Sequence, residues 1–130
     1  MSQISRSPAV VLARAHVQAW SAKDWDQVRS MLADDVHVIA IPTDPALPHT
    51  DLTGADDYMK GLVAFAEPIV PGSVLELASV GDERNALLTL DLRVAGGPFG
   101  AGAAAPCSRL YLIEDGKIKT ERIIYYVGQG

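Results

Sequence analysis

At 130 residues the chain can bury one proper hydrophobic core, and it is too short for several domains. Its 48% hydrophobic content argues against disorder, and a net charge of −5, with eleven scattered bases against sixteen acids, offers nucleic acid no basic surface. The single cysteine, Cys107, excludes an internal disulfide and a cysteine-based metal site; it reads as a small buried residue.

The opening M-S-Q-I-S-R-S-P has no long apolar core behind its arginine, so no signal peptide is expected. No apolar run approaches the roughly 18 residues that a membrane span requires. The expected location is therefore the cytoplasm.

Ser7-Pro8 reads as a helix start, with serine at the cap and proline in the first turn. An amphipathic helix over 8–22 follows. At about 100° per residue, Arg14, Gln18 and Ser21 share one side, and Leu12, Ala13, Val17, Ala19 and Trp20 lie away from them. His16 falls between Leu12 and Trp20, which puts an ionisable imidazole on the buried face. Asp24 with Gln27 forms a capping-box pattern for a second helix that runs to about Leu32. Val36 to Ile41 is a β-branched strand ended by Pro42. The stretch 42–52, with three prolines and His49, reads as a stiff loop.

Thr53 reads as the cap of a third helix over 54–66, which Glu67-Pro68 stops. Strands are expected over 73–80 and 86–94. The second sets Leu88, Leu90 and Leu92 on one face against Thr89, Asp91 and Arg93 on the other. Residues 95–106 are a Gly/Ala stretch outside any strand–glycine-loop–helix context, so they read as a hairpin connection and not as a nucleotide site. Strands over 107–114 and 117–127, joined at Asp115-Gly116, close the chain. By alternation Glu121, Ile123 and Tyr125 share one face of the last strand. Helices grouped on one side of a mainly antiparallel sheet make this an α+β fold.

The stretch A-H-V-Q-A-W-S-A-K-D-W-D-Q-V-R-S-M-L-A-D-D-V-H-V, then L-T-G-A-D-D-Y and I-E-D-G-K-I-K-T-E-R-I-I-Y-Y, resembles the nuclear transport factor 2-like superfamily, and within it SnoaL-like and ketosteroid-isomerase-like domains. The resemblance covers nearly the whole chain. It implies a cone: a strongly curved sheet wrapped round the helices, a cavity open at one end, and commonly a dimer joined through the outer sheet face, where Asp91 and Arg93 would form an ion pair. The isomerase branch works with an aspartate base and with tyrosine and protonated aspartate as oxyanion donors. The base position holds Ala40 or Ile41 here, the tyrosine position holds His16, and the protonated-aspartate position falls near Ser108. The acid that epoxide-hydrolase and cyclase branches place on the last strand is replaced by Ile123. A straightforward ketosteroid isomerase is thereby excluded.

What remains implied is an apolar pocket for a small hydrophobic molecule. Its walls are expected from Trp20, Val38, Ala40, Met59, Leu62, Phe65, Leu88, Leu90, Ile123 and Tyr125, with Ser108 as a polar point. The catalytic candidates are His16, Glu121 and Tyr125. His16 is either a bonded core histidine or a cavity-facing base. Glu121 is either a carboxylate paired with Arg109 or another base, or a buried acid with a raised pKa. Tyr58 stands open between surface and mouth. His37 is expected to face away from the cavity, and His49 with Asp44 and Asp51 lacks the spacing of a metal site. No cofactor is called for. An acid–base isomerase, cyclase or hydrolase, a non-catalytic binder of an apolar metabolite, and a dimerising association module all fit these residues.

Overall fold

The computed structural model describes residues 7–43, 46, 48–67, 69–71, 73–91 and 106–126. Along the chain these form α1 (Pro8–Ser21), α2 (Trp25–Ser30), β1 (Leu32–Pro42), β2 (Thr50–Thr53), α3 (Ala55–Ala66), β3 (Leu75–Gly81), β4 (Asn85–Asp91), β5 (Cys107–Glu114) and β6 (Lys117–Tyr125). The strands make one open sheet in the order β2-β1-β6-β5-β4-β3. Every neighbouring pair is antiparallel except β1 with β6, which run parallel.

Local chemistry starts the helices as the sequence reads. The Ser7 side chain accepts from the Val10 amide at 3.1 Å, and Pro8 occupies the first turn where its missing N–H costs nothing. Asp24 caps α2 through the Gln27 amide. The β5–β6 hairpin reverses at Asp115-Gly116, both with positive φ, as a tight two-residue turn requires.

Three expectations need correcting. The second helix stops at Ser30, and Leu32 already belongs to β1, whose start is tied down by Ile118 N donating to the Met31 carbonyl at 2.8 Å. The proline-rich stretch contains a strand, β2, which pairs with β1 from His37↔Thr53 to Ala40↔Thr50. The cap of α3 is Gly54, at φ 97°, and not Thr53, which ends β2. A glycine is needed there because the chain turns from strand into helix through positive φ. Leu92, Arg93, the 95–105 stretch, Asp44 and Val127 lie outside the described residues.

The sheet curves round α1 and α3. Register shifts occur within β1–β6, β3–β4 and β5–β6, and each such irregularity bends its strand. The shift in β5–β6 pairs Ile113 with Ile118 but Leu112 with Thr120, so Lys119 is the extra residue. It lets Ile118 and Glu121, three apart, both point inward, after which Ile123 follows by ordinary alternation. On β5 the inner face carries Cys107, Arg109, Tyr111 and Ile113. α1 lies across β3, β4 and β5, and α3 across β1 and β2. Between them the core is built on Val10, Val17, Trp20, Val36, Leu62, Leu88, Leu90 and Ile118.

Candidate functional site

The inner face of the β5–β6 hairpin places a charged pair inside the core. Register pairs Tyr111 with Glu121 and Arg109 with Ile123, so Arg109 and Glu121 are diagonal neighbours on the concave side. Arg109 Nη1 donates to Glu121 Oε2 at 2.6 Å, and both side chains are fully buried. The other carboxylate oxygen accepts from the Tyr58 hydroxyl, delivered by α3. Behind Tyr58 lies His16 of α1, with Nε2 at 3.3 Å from the Tyr58 oxygen and Nδ1 at 3.0 Å from the Tyr111 hydroxyl. Four secondary-structure elements thus contribute to one continuous chain of hydrogen bonds, Tyr111–His16–Tyr58–Glu121–Arg109.

The electrostatics follow from burial and pairing. Burial pushes the His16 imidazole down from 6.5 to about 4, so it is neutral at neutral pH. Burial, the largest influence, would raise the Glu121 carboxyl, but the Arg109 guanidinium and the other groups around it, the Tyr58 hydroxyl among them, together outweigh it and hold the carboxyl below its ordinary value. Glu121 is therefore an ionised carboxylate. Burial, with the Glu121 charge next in weight, holds the Tyr58 and Tyr111 phenols well above 10, so both stay protonated.

Arg109 is held from its other sides by aromatic rings. Its Cζ lies 4.8 Å from the centroid of Trp20 and 5.3 Å from that of Phe65, and the π faces stand in for part of the hydration it has lost. Phe65 in turn meets Trp20 edge-on at 5.7 Å and Tyr125 at 5.3 Å.

A cavity of about 160 Å³ opens beside this cluster. Val38 and Ala40 of β1, Thr50 and Leu52 of β2, and Tyr58, Gly61, Leu62 and Phe65 of α3 form its walls. Arg109, Glu121, Ile123 and Tyr125 close it from the hairpin. The site is a largely apolar chamber whose lining carries a carboxylate, a guanidinium, two phenols and the Thr50 side chain.

A model of the SnoaL-like domain family matches residues 13–121. The chain belongs to this family. Among solved structures, a protein from Kribbella flavida is similar at 26% identity, covering 92% of this chain and 88% of that one, with a TM-score of 0.75. A nuclear transport factor 2-like protein from Cytophaga hutchinsonii is similar at 14% identity over 95% and 94% of the two chains, TM-score 0.67. A Catenulispora acidiphila protein with a ketosteroid isomerase-like fold, crystallised with trimethylamine, is similar at 14% identity over 89% and 85%, TM-score 0.69. No curated protein matches the chain.

The SnoaL-like domain brings together part of the residue set expected from sequence. Val38, Ala40, Leu62, Phe65, Glu121, Ile123 and Tyr125 line the cavity. His16 does not. It is fully buried one layer back, separated from the cavity by Tyr58, because the inward face of α1 packs against the β5 side of the sheet. Trp20 sits against Arg109 without lining the cavity, and Met59 packs at the core margin. Leu88 and Leu90 line a separate groove between α1 and β3, where Arg14 clasps Glu76 with two bonds of 2.8 Å. Ser108 is on the outer sheet face, 3.0 Å from the Tyr126 hydroxyl. His37 is half-buried and bonds Asp51 at 2.7 Å. Sequence reading named Arg109 only as one partner for Glu121, left Tyr58 unplaced and missed Tyr111. Both faces of C-S-R-L-Y-L-I-E carry apolar residues, so alternation alone does not say which one faces inward.

Proposed function

We propose that this SnoaL-like domain takes a small, largely apolar molecule into the cavity and acts on it by cofactor-free acid–base chemistry of isomerase, cyclase or hydrolase type. The observation that carries the reading is an ionised carboxylate, Glu121, with protonated phenols in the lining of a largely apolar chamber. Glu121 is the proton acceptor, and Tyr125, whose phenol burial pushes up to about 12, is a neutral hydrogen-bond donor in the wall. His16 acts through Tyr58, fixing the direction of the hydrogen bond that Glu121 receives. The ligand is an uncharged metabolite of the cytoplasm, not a nucleic acid or a membrane surface. The domain works as a homodimer through its outer sheet face, where Leu87, Leu110, Ile124 and Tyr126 are exposed.

A second reading, a non-catalytic binder, is favoured by one fact. Both Glu121 oxygens are already engaged, by Tyr58 and by Arg109, which weakens the carboxylate as a base.

The two readings separate with cyclohexanone in D2O. The catalytic reading expects the protein to accelerate exchange of the protons next to the carbonyl, followed by NMR, and Glu121→Gln to abolish the acceleration. Binding by native mass spectrometry without exchange leaves the binder. Absence of both removes the small-molecule reading.

A further inference from the structure

Arg109 has more donors than its partners use. Its Nη1 is committed to Glu121, but Nε and Nη2, both buried, have no hydrogen-bond partner among the described residues. The Tyr125 hydroxyl and the Cys107 thiol lie close enough for the guanidinium to pull against the upward push of burial on both, yet neither gives Nε or Nη2 an acceptor. The rings of Trp20 and Phe65 offer π faces and no lone pairs. A buried charged donor without an acceptor is costly, and such a group in a native fold calls for an explanation. Arg109 lines the cavity, and none of the oxygen-bearing side chains that share the lining, Thr50, Tyr58, Glu121 and Tyr125, accepts from Nε or Nη2.

We infer that the spare N–H groups of Arg109 recognise one uncharged oxygen acceptor, the carbonyl of a ketone, ester or amide, on a ligand that is otherwise apolar. This rests on the small-molecule reading above and names its substrate class. Charge decides for the uncharged oxygen. Arg109 is already neutralised by Glu121 at 2.6 Å, so a ligand carboxylate would bring a second anion into an apolar chamber that holds one cation. A carbonyl brings no such penalty and still meets a charged donor. Size restricts the class further. A cavity of about 160 Å³ is comparable with the roughly 150 Å³ space known to hold benzene, so the ring system has roughly six to eight non-hydrogen atoms.

The test titrates three probes of one size, cyclohexanone, methylenecyclohexane and cyclohexanecarboxylate, into the full chain at neutral pH, with Kd read from amide shifts. Methylenecyclohexane has the ketone's shape without its acceptor. The quantity read is the ketone-to-alkene affinity ratio, compared between the natural protein, Arg109→Lys and the double variant R109M/E121M, so that the probes' own hydration cancels. The expected result is a fall in that ratio of about tenfold or more in both variants, the size of one hydrogen bond to a charged donor. If Arg109→Lys does not fold, the double variant, which leaves no unpaired charge, decides alone. An unchanged ratio with both probes still bound overturns the inference and leaves the cavity as a binding site. Tighter binding of cyclohexanecarboxylate than of cyclohexanone by the natural protein overturns the uncharged class. No binding of any probe to the natural protein sinks the small-molecule reading itself, and the inference with it.

Discussion

The Tyr58 hydroxyl gives its one proton to Glu121, so toward His16 it can only accept. That fixes the rest of the chain. His16 must donate from Nε2, which leaves Nδ1 bare to accept from Tyr111. A neutral imidazole supplies just this pair of roles, one donor and one acceptor, and burial keeps it neutral.

The first prediction is therefore the Nε2–H tautomer of His16 at pH 7. Two-bond proton–nitrogen NMR correlations distinguish the two ring nitrogens. A protonated Nδ1 would make His16 donate to Tyr111 and accept from Tyr58, which would leave Tyr58 no proton for Glu121 and refute the assignment.

Acid should destabilise the fold through His16. Its pKa is 6.5 unfolded and about 4 folded, so between these values the unfolded chain binds more protons. Stability is full above about 6.5 and declines as pH falls toward 4, by about 3 kcal/mol from this group. Glu121 acts in the same direction lower down, its contribution being present above its ordinary 4.5 and lost below. Urea unfolding at pH 7, 5.5 and 4.5 should show the decline, and His16→Gln, which does not titrate, should flatten it above pH 4.5. An equally steep decline in the variant would assign the effect elsewhere.

Breaking the buried ion pair should cost more than removing it. Glu121→Met alone leaves the Arg109 cation without a counter-charge, and a loss of about 3–5 kcal/mol is expected. The double variant R109M/E121M should recover most of that loss, because no charge stays buried. Denaturant midpoints of the two variants decide, and a double variant weaker than the single one would contradict the account.

Gly54 gives a purely conformational prediction. At φ 97° an added Cβ meets nothing within 4 Å, so Gly54→Ala is strained by its backbone alone. A loss of about 1–3 kcal/mol is expected. Tyr58 N donates to the Gly54 carbonyl at 3.0 Å, so the loss should come with shifted Tyr58 resonances, whereas a neutral substitution would mean that the turn relaxes freely.

Local chemistry determined most of the fold. The Ser7-Pro8 start, the Asp24 cap, the Asp115-Gly116 turn and the period-2 pattern of Leu88 and Leu90 each depend on neighbours within a few residues. They are therefore legible in the chain, as is the burial of His16 on α1. β2 was not legible, because a four-residue strand is defined by its pairing with β1 and not by its own pattern.

The site was decided in three dimensions. Periodicity tells which residues share a face, not which faces meet. That Arg109 lies beside Glu121 depends on the β5–β6 register and on the extra residue at Lys119. That Tyr58 reaches the same carboxylate depends on α3 crossing β1 and β2, and that His16 stands behind it on how α1 packs against β5. A buried charge pair reads as an error in any one strand considered alone. It becomes tolerable only when a second strand brings the counter-charge and a helix brings the hydroxyl, and only the tertiary structure supplies all three at one place.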